Sequence, residues 1–215
     1  MDKYNVYQDM SRRTGGEIYL GIVGPVRTGK STFIKRFMEL VVIPEMADDN
    51  EKVRTIDELP QSADGKMIMT TEPKFIPKEA AVIHFSNQET GKIRLIDCVG
   101  YLVPEAVGAI EEEKERMVKT PWSEEEIPFS KAAEIGTSKV IREHSNLGLI
   151  ITTDGSFGDI PAVNFEEALQ KTVMECEKAG KPFLILVNTS RPDSQETIQF
   201  TKRLEAQYGK TVMAV

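Results

Sequence analysis

The sequence has few of the residues that build disulfides or zinc sites. Only two cysteines, Cys98 and Cys176, and two histidines, His84 and His144, occur among 215 residues. Both cysteines lie in apolar or helical patterns far from any C-x-x-C spacing, so we expect buried free thiols in a reducing cytoplasm. The four residues are too few and too scattered to form a zinc site from cysteine and histidine.

Long apolar runs and an excess of positive charge are also lacking. No stretch approaches the roughly 20 apolar residues of a membrane span, and residues 1–17 lack the apolar core of a signal peptide. The formal net charge is −7, which argues against nucleic acid as the main ligand, because phosphate-backbone binding needs a basic surface. We therefore expect a cytoplasmic protein with no nucleic-acid partner.

One segment carries a specific chemical signature. Residues 24–32 read G-P-V-R-T-G-K-S-T, which matches G-x-x-x-x-G-K-S, and they lie between an apolar strand pattern and a helical pattern. Gly24 and Gly29 allow the backbone to wrap around an anion, so that successive N–H groups point inwards. The N-terminus of the following helix adds its positive dipole end. This P-loop predicts binding of a nucleoside triphosphate.

The P-loop pattern assigns a role to each of its residues. We predict that Lys30 reaches the β- and γ-phosphates as a point charge and that the Ser31 hydroxyl ligates Mg²⁺. Arg27 is a candidate for stabilising charge on the phosphates, although a solvated arginine is the more usual interpretation. The residues predicted to line the nucleotide in this loop are Gly24, Pro25, Val26, Arg27, Thr28, Gly29, Lys30, Ser31 and Thr32.

Two further segments are typical of a nucleotide switch. An apolar strand pattern ends in D-C-V-G, in which Asp97 would hold the Mg²⁺ hydration shell and Gly100 would offer its N–H to the γ-phosphate. Upstream, Thr70 and Thr71 are candidates for the loop threonine that ligates Mg²⁺ and senses the γ-phosphate. Thr71 is the first choice because a charged residue follows it, Thr70 stays open, and two ordinary loop threonines are the alternative.

The motif that reads guanine is absent. Guanine-specific P-loop proteins carry N-K-x-D after the fifth strand, where the aspartate accepts hydrogen bonds from the guanine edge. The corresponding residues 188–191 read N-T-S-R, so Asn188 remains as a nucleotide-binding candidate while Arg191 stands at the aspartate position. A guanidinium only donates hydrogen bonds and would face guanine's own donors. We therefore expect guanine selectivity to be lost and ATP to be the substrate.

Helical patterns alternate with continuous apolar strands along the chain. This alternation predicts an α/β P-loop NTPase of the translation-factor-like GTPase class, a three-layer α/β/α arrangement around a mostly parallel sheet. Residues 81–85 and 92–97 flank a polar turn that ends in glycine, and they predict a hairpin that supplies one antiparallel strand. Residues 164–167, N-F-E-E, fit a capping box at the start of a helix.

The same patterns suggest how the chain is divided. We expect an N-terminal arm at 1–17 and a P-loop ATPase domain at 18–215, with insertions at about 44–69 and 101–129. The second insertion is strongly acidic and contains Trp122. Because the sequence stops within a strand pattern, we also expect a longer protein with a C-terminal region that this chain lacks.

Taken together, these segments resemble the stage IV sporulation protein A family of endospore-forming bacteria. The resemblance covers nearly all of the chain, and its most specific markers are the segments 14–35, 57–62, 69–75, 97–101, 120–122 and 151–155. It implies a fold derived from translation-factor-like GTPases that has switched to ATP. It also implies that Lys30, Asp97 and the pair Thr70/Thr71 serve ATP binding and turnover.

The resemblance further implies a role in spore formation. Members of the family self-assemble into a homopolymer, the basement layer of the spore coat, on which other spore-coat proteins gather. This implies a location in the mother-cell cytoplasm, at the outer forespore surface and in the spore coat. Attachment to the forespore membrane surface through a small membrane peptide is expected to depend on the C-terminal region that this chain lacks.

Two other interpretations stay open. The fold permits a GTP-dependent molecular switch, although residues 188–191 oppose it. A nucleotide-binding structural scaffold without significant hydrolysis is the other alternative, because Tyr101 follows Gly100 where some GTPases place a water-orienting glutamine.

Overall fold

The computed structural model describes residues 16–60, 72–84, 90–106, 110–111 and 114–215. The strands in this part of the chain are β1 (Glu17–Val23), β2 (Lys74–His84), β3 (Thr90–Asp97), β4 (Ile110–Glu111), β5 (Lys114–Glu115), β6 (Met117–Thr120), β7 (Ser123–Pro128), β8 (Leu147–Thr153), β9 (Phe183–Asn188) and β10 (Val212–Ala214). The α-helices are α1 (Lys30–Phe37), α2 (Asp49–Glu58), α3 (Phe129–Lys139), α4 (Glu166–Lys178) and α5 (Gln195–Tyr208).

Six of the strands form the central sheet, in the order β10–β9–β8–β1–β3–β2. Every neighbouring pair is parallel except β2 and β3, which are antiparallel. The predicted mostly parallel sheet with one antiparallel strand is therefore confirmed. In the parallel registers Ile22 pairs with Asp97 and Val23 with Ile150, so β1, β3 and β8 end at the same edge.

Consecutive residues of these central strands fill two separate cores. Ile22 and Leu95 face the cluster that contains Ile34 of α1, whereas Val23 and Ile96 face the cluster that contains Leu169 of α4. Each of these side chains is at most 2% exposed. Burying a side chain of this size contributes about 1.5–3 kcal/mol. The sheet is therefore covered on both faces, which is the three-layer arrangement expected from the continuous apolar strands.

The hairpin of β2 and β3 is longer than the sequence pattern suggested. Strand β2 begins at Lys74 rather than near residue 81, and its pairing with β3 shifts register between Ile76 and Ala81. Pro77 lies inside this irregular stretch and has no N–H to donate to the ladder. Because the proline and the bulge interrupt the alternation of apolar and polar residues, the sequence pattern does not predict the first half of this strand.

Helix α4 has the predicted core positions but not the predicted cap. The buried residues along it and just before it are Phe165, Ala168, Leu169, Thr172, Val173 and Cys176. The capping box at Asn164 is wrong, because a 3₁₀ turn over Ala162–Phe165 precedes the helix and no side chain caps it. The Asn164 N–H already donates to the Pro161 carbonyl, so Asn164 lies inside a helical turn, whereas a capping residue must stand outside one.

The two predicted insertions differ in structure. The first contains α2, whose N-terminus is capped by the Asp48 carboxylate through the N–H groups of Asn50 and Glu51. The second contains two small antiparallel pairs, β4 with β5 and β6 with β7, which lie apart from the central sheet. Most of the predicted arm and residues 61–69 of the first insertion lie outside the described residues. None of the helices in the described ranges has both the length and the apolar character that crossing a membrane requires.

Candidate functional site

The loop between β1 and α1 lies at the edge of the sheet where β1, β3 and β8 end. Gly24 has φ 128° and Gly29 has φ 87°, values that side chains other than glycine rarely adopt. A Cβ on Gly24 would lie 2.3 Å from the Ile151 carbonyl oxygen, and one on Gly29 would lie 2.2 Å from Asn188 Nδ2. Gly24 is therefore required by the close approach of the Ile151 main chain as well as by its backbone angle, whereas at Gly29 the backbone angle is the main constraint, because a side-chain end such as Asn188 Nδ2 can move.

Backbone hydrogen bonds tie this loop to the segment after β3. The Val26 N–H donates to the Tyr101 carbonyl at 2.9 Å, and the Tyr101 N–H donates to the Gly24 carbonyl at 3.3 Å. Within the loop, the Thr28 hydroxyl donates to the Pro25 carbonyl at 3.0 Å. The side chain of Val26 is 1% exposed and joins a small core with Tyr101. The P-loop and the D-x-x-G segment thus form one connected unit.

Lys30 is buried and bent back over the loop. Its residue is 5% exposed, and Nζ donates to the Pro25 carbonyl at 2.6 Å and lies 3.5 Å from the Gly24 carbonyl. Burial lowers the pKa of Lys30, while Cys98 and Asp97 nearby act in the opposite direction. A desolvated ammonium whose hydrogen-bond partners in the described part of the chain are carbonyl oxygens gains strongly from an anion, so this position suits a phosphate-binding lysine.

Ser31 and Asp97 meet at the base of the same loop. The Ser31 hydroxyl donates to Asp97 Oδ2 at 2.8 Å. Asp97 Oδ1 is buried and has no hydrogen-bond partner among the described residues. Burial raises the pKa of Asp97, and the Ser31 hydroxyl and the Lys30 charge oppose that shift. A hydroxyl and a carboxylate with a spare oxygen are hard donors of the kind that Mg²⁺ prefers, so these residues fit that ion.

Gly100 lies against the P-loop, but its N–H has a partner within the protein. Its φ is 95°, and a Cβ there would lie 2.1 Å from the Gly24 carbonyl oxygen and 2.7 Å from Lys30 Nζ. The Gly100 N–H donates to the hydroxyl of Thr137 on α3 at 3.2 Å. The predicted contact with a γ-phosphate would replace this hydrogen bond. No sequence motif marks Thr137, which lies in an ordinary helical pattern.

Asn188 is brought to the P-loop from the end of β9. Its Nδ2 donates to the Thr28 carbonyl at 3.1 Å. Arg191 pairs instead with Glu196, with 3.2 Å between Nη2 and Oε2, and the two side chains are 62% and 77% exposed. Such an exposed pair contributes at most about 1 kcal/mol.

The remaining predicted site residues are distributed around this centre. Pro25 is buried in the loop, and Arg27 and Thr32 are exposed, with Arg27 at φ 61°. Thr70 and Thr71, the candidates for the γ-phosphate sensor, lie outside the described residues. The structure therefore gathers Lys30, Ser31 and Asp97 with the glycines of both motifs, and it gives no position for the threonine pair.

Comparison with solved structures identifies the fold. The structure of Era in complex with MgGDPNP and nucleotides 1506–1542 of 16S ribosomal RNA aligns with a TM-score of 0.52 at 13% identity, over 93% of this chain and 51% of that one. The structure of Aquifex aeolicus Era Y63A bound to GDP.AlF4⁻ aligns with a TM-score of 0.52 at 14% identity, over the same shares. At this level of identity the likeness shows a P-loop GTPase fold of the Era type and nothing finer.

Three proteins of known sequence are much more similar to this chain than the two solved structures are. Stage IV sporulation protein A from Bacillus subtilis (strain 168) and from Bacillus anthracis are each 52% identical to this chain over 215 residues. The same protein from Clostridioides difficile (strain 630) is 48% identical over 209 residues, or 97% of the chain. The chain spans 44% of the two Bacillus relatives and 43% of the third.

A family model gives the same assignment over the full length of the chain. The model described as "Stage IV sporulation protein A, ATPase domain" matches residues 1–215. The site agrees with this description, because it joins a P-loop to a D-x-x-G segment on an Era-like sheet, as in domains that hydrolyse nucleotides. The chain therefore belongs to the stage IV sporulation protein A family.

Proposed function

We propose that this chain binds and hydrolyses ATP, and that its nucleotide cycle drives self-assembly into the basement layer of the spore coat around the forespore. The single observation that carries the catalytic part is the contact between Ser31 and Asp97. It joins the P-loop to the D-x-x-G segment and leaves one buried oxygen of Asp97 without a hydrogen-bond partner among the described residues. Coat assembly follows from membership of the family and from the resemblance described above.

Each residue of the site contributes a distinct step. The P-loop amides and the Lys30 ammonium bind and orient the β- and γ-phosphates, and the lysine offsets charge that develops on them during transfer to water. The Ser31 hydroxyl, and the Asp97 carboxylate through a water molecule, would hold Mg²⁺, which would supply positive charge next to the phosphates. Gly100 exchanges its hydrogen bond to Thr137 for the γ-phosphate. Thr70 or Thr71 completes the metal site and senses that phosphate.

The choice of ATP over GTP rests on the segment after β9. Guanine presents hydrogen-bond donors on the edge that an aspartate would read, and Arg191 offers donors only. Asn188 donates to the P-loop main chain through Nδ2 and remains a nucleotide-binding candidate. The donor-only side chain at position 191 favours a site without guanine selectivity, and ATP is the most abundant triphosphate.

The remaining parts of the proposal concern the whole protein. The ATPase domain comprises residues 18–215, preceded by an arm at 1–17, and a C-terminal region outside this chain attaches the protein to a small peptide on the forespore membrane. The protein acts in the mother-cell cytoplasm and recruits other spore-coat proteins. Family membership supports these statements, and the relatives are more than twice the length of this chain.

The decisive experiment is phosphate release from ATP and from GTP with Mg²⁺, measured side by side. We expect the wild-type chain to hydrolyse ATP, to release little phosphate from GTP, and to lose turnover by at least about 100-fold in Lys30→Ala, because oriented charge of this kind contributes several kcal/mol. Lys35→Ala is the matched control, since Lys35 lies on the same helix with its side chain 38% exposed.

Each other outcome selects an alternative. Equal or preferential turnover of GTP would replace the proposal by a GTP-dependent molecular switch. Tight ATP binding that Lys30→Ala abolishes, without turnover in the wild type, would favour a nucleotide-binding scaffold. Retained affinity in Lys30→Ala, within a few-fold of the wild type, would contradict the P-loop assignment itself.

A further inference from the structure

Two loops at the nucleotide edge of the sheet are joined by a cluster of hydroxyl groups around one carboxylate. The first loop follows β8 and contains Asp154 and Ser156. The second begins at Asn188, the last residue of β9, and spans residues 188–191, the segment at the position where guanine-specific proteins read their base. We call the side chains of Asp154, Ser156, Thr189 and Thr197 the hydroxyl cluster.

Asp154 is the centre of this cluster. Its Oδ2 accepts hydrogen bonds from the Thr189 hydroxyl at 2.6 Å and from the Thr197 hydroxyl at 3.2 Å, and its Oδ1 accepts the Ser156 N–H at 2.9 Å. Burial by itself would raise the pKa of Asp154, but the hydrogen bonds from Ser156, Thr189 and Thr197 outweigh it and lower that pKa. The carboxylate is therefore ionised at neutral pH and held in place by three donors.

Thr189 uses the whole hydrogen-bonding capacity of its hydroxyl. The residue is 8% exposed. Its hydroxyl donates to Asp154, accepts the Arg191 N–H at 3.1 Å, and lies 3.1 Å from the Ser156 hydroxyl. A hydroxyl has one donor and two acceptor positions, and all three are used here. Such a fully satisfied buried group fixes the backbone around it.

The main chain of the second loop is held by the same cluster. The Ser190 N–H donates to the Ser156 hydroxyl at 2.8 Å, and the Ser190 hydroxyl donates to the Ser156 carbonyl at 3.3 Å. The backbone N–H groups of Ser190 and Arg191 are therefore both directed into the protein. At the other end, Asn188 holds the Thr28 carbonyl of the P-loop. The loop is thus fastened on both sides of Thr189.

We propose that Asp154 and Thr189 are positioning residues that set the base-side wall of the nucleotide site. In this arrangement the Asp154 carboxylate holds residues 188–191 in place from the protein side of the loop. The P-loop binds the phosphates without help from Asp154. The threonine that replaces the lysine of N-K-x-D thereby becomes a structural anchor for the loop. The inference rests on the proposed function, because it assumes that a purine triphosphate occupies the P-loop.

The test compares one ligand that has a base with one that has none. Isothermal titration calorimetry with Mg²⁺ would measure the Kd of ATP and of inorganic tripolyphosphate for Thr189→Val and for the matched control Thr189→Ser. Valine has nearly the shape of threonine but removes one of the three donors to Asp154 and takes away the acceptor of the Arg191 N–H, whereas serine keeps the hydroxyl. We expect Thr189→Val to weaken ATP binding about tenfold while tripolyphosphate changes less than twofold, and Thr189→Ser to bind both as the wild type does.

Three results would overturn the inference. One is ATP binding by Thr189→Val equal to that of the wild type, and another is equal weakening of ATP and tripolyphosphate. If Thr189→Val does not fold, Asp154→Asn replaces it, since asparagine keeps the shape of the side chain and loses its charge. Unchanged ATP affinity in Asp154→Asn is the third result that would overturn the inference. Failure of the wild type to bind ATP would contradict the proposed function, whereas a wild type that binds ATP with variants that match it contradicts this inference alone.

Discussion

At the scale of single residues, the site depends on backbone positions that leave no room for a side chain. Gly24 and Gly100 approach each other so closely that a Cβ on Gly100 would lie 2.1 Å from the Gly24 carbonyl oxygen. Both have positive φ, which adds strain for any other residue. The P-loop and D-x-x-G patterns predicted glycine at these positions for phosphate contact, and the structure adds a second reason, the contact of the two loops with each other.

Substituting Gly100 tests this packing directly. We expect Gly100→Ala to lower the free energy of unfolding by more than about 2 kcal/mol and to abolish turnover, because it adds a collision to the cost of positive φ. Gly158→Ala is the matched control, since Gly158 has φ 76° but nothing lies within 4 Å of its Cβ position. We expect that variant to lose only about 1 kcal/mol. Urea unfolding of both proteins would settle the comparison, and equal losses would contradict the close approach.

The buried thiol of Cys176 predicts a dependence of stability on pH. Burial, followed by the charges of Glu175 and Glu177, raises the pKa of Cys176 from 9.0 to about 12. The folded state therefore keeps its proton where the unfolded state loses it, so stability is complete below pH 9.0 and falls as pH rises towards the folded value. The slope for one proton is about 1.4 kcal/mol per pH unit.

Urea unfolding between pH 8 and pH 10.5, about 1.5 units above the unfolded pKa, would measure this slope. We expect Cys176→Ala to be less stable at pH 8 and to lose stability with pH less steeply than the wild type. Met174→Ala on the same helix, where Met174 is 45% exposed, should change neither quantity much. Parallel curves for the wild type and Cys176→Ala would mean that the thiol titrates normally in the folded protein.

At the scale of elements, helix starts were harder to predict than helix faces. The spacing of apolar residues placed the buried face of α4 correctly, because a regular helix repeats its contacts with the sheet. The start was misplaced, because a 3₁₀ turn at Ala162–Phe165 continues the chain into the helix. By contrast, α5 has a real cap, since the Ser194 hydroxyl accepts the Thr197 N–H at 3.1 Å.

These two candidate caps predict opposite responses to the same substitution. We expect Ser194→Ala to lower the free energy of unfolding by about 1 kcal/mol, the usual cost of a lost N-cap. Asn164→Ala should change it by less than about 0.5 kcal/mol or raise it, because the buried Asn164 Nδ2 has no partner among the described residues. Chemical denaturation of the two variants measures both effects. A loss of about 1 kcal/mol in Asn164→Ala would mean that Asn164 does cap the helix, as the sequence pattern predicted.

At the scale of the whole molecule, the order of the strands assembles the site. Strand β1 lies between β3 and β8, so the P-loop is flanked by the D-x-x-G segment on one side and by Ile151 and the Asp154 loop on the other. Parallel pairing makes all three strands end at the same edge, which is where α/β sheets bind ligands. The two cores on either face hold these strand ends rigidly in relation to one another.

This arrangement predicts that the 215-residue chain behaves as a nucleotide-responsive domain by itself. We expect a single cooperative thermal transition that Mg²⁺ and ATP shift upwards, since ligand at 100 times its Kd stabilises by about 2.7 kcal/mol. Lys30→Ala should keep the transition and lose the shift. Differential scanning calorimetry measures both, and two separate transitions, or a shift that survives in Lys30→Ala, would contradict the prediction.

The local features of this protein can be predicted from residues that are close together in the sequence. The P-loop, the D-x-x-G segment and the alternation of strands and helices depend on residues that are neighbours along the chain, so their patterns are visible without a structure. The fold class followed, because continuous apolar strands separated by amphipathic helices have few ways to bury both faces of a sheet.

Contacts between groups that are far apart in the sequence become visible in the folded chain. The contact of Ser31 with Asp97, the hydrogen bond from Gly100 to Thr137 and the hydroxyl cluster around Asp154 each join separate segments of the chain. No periodicity in the sequence encodes these contacts, because they depend on strand order and register at one edge of the sheet. The chemistry of the site could therefore be predicted from its sequence motifs. The hydrogen bonds that hold the site residues in place could not, because they form when the sheet folds.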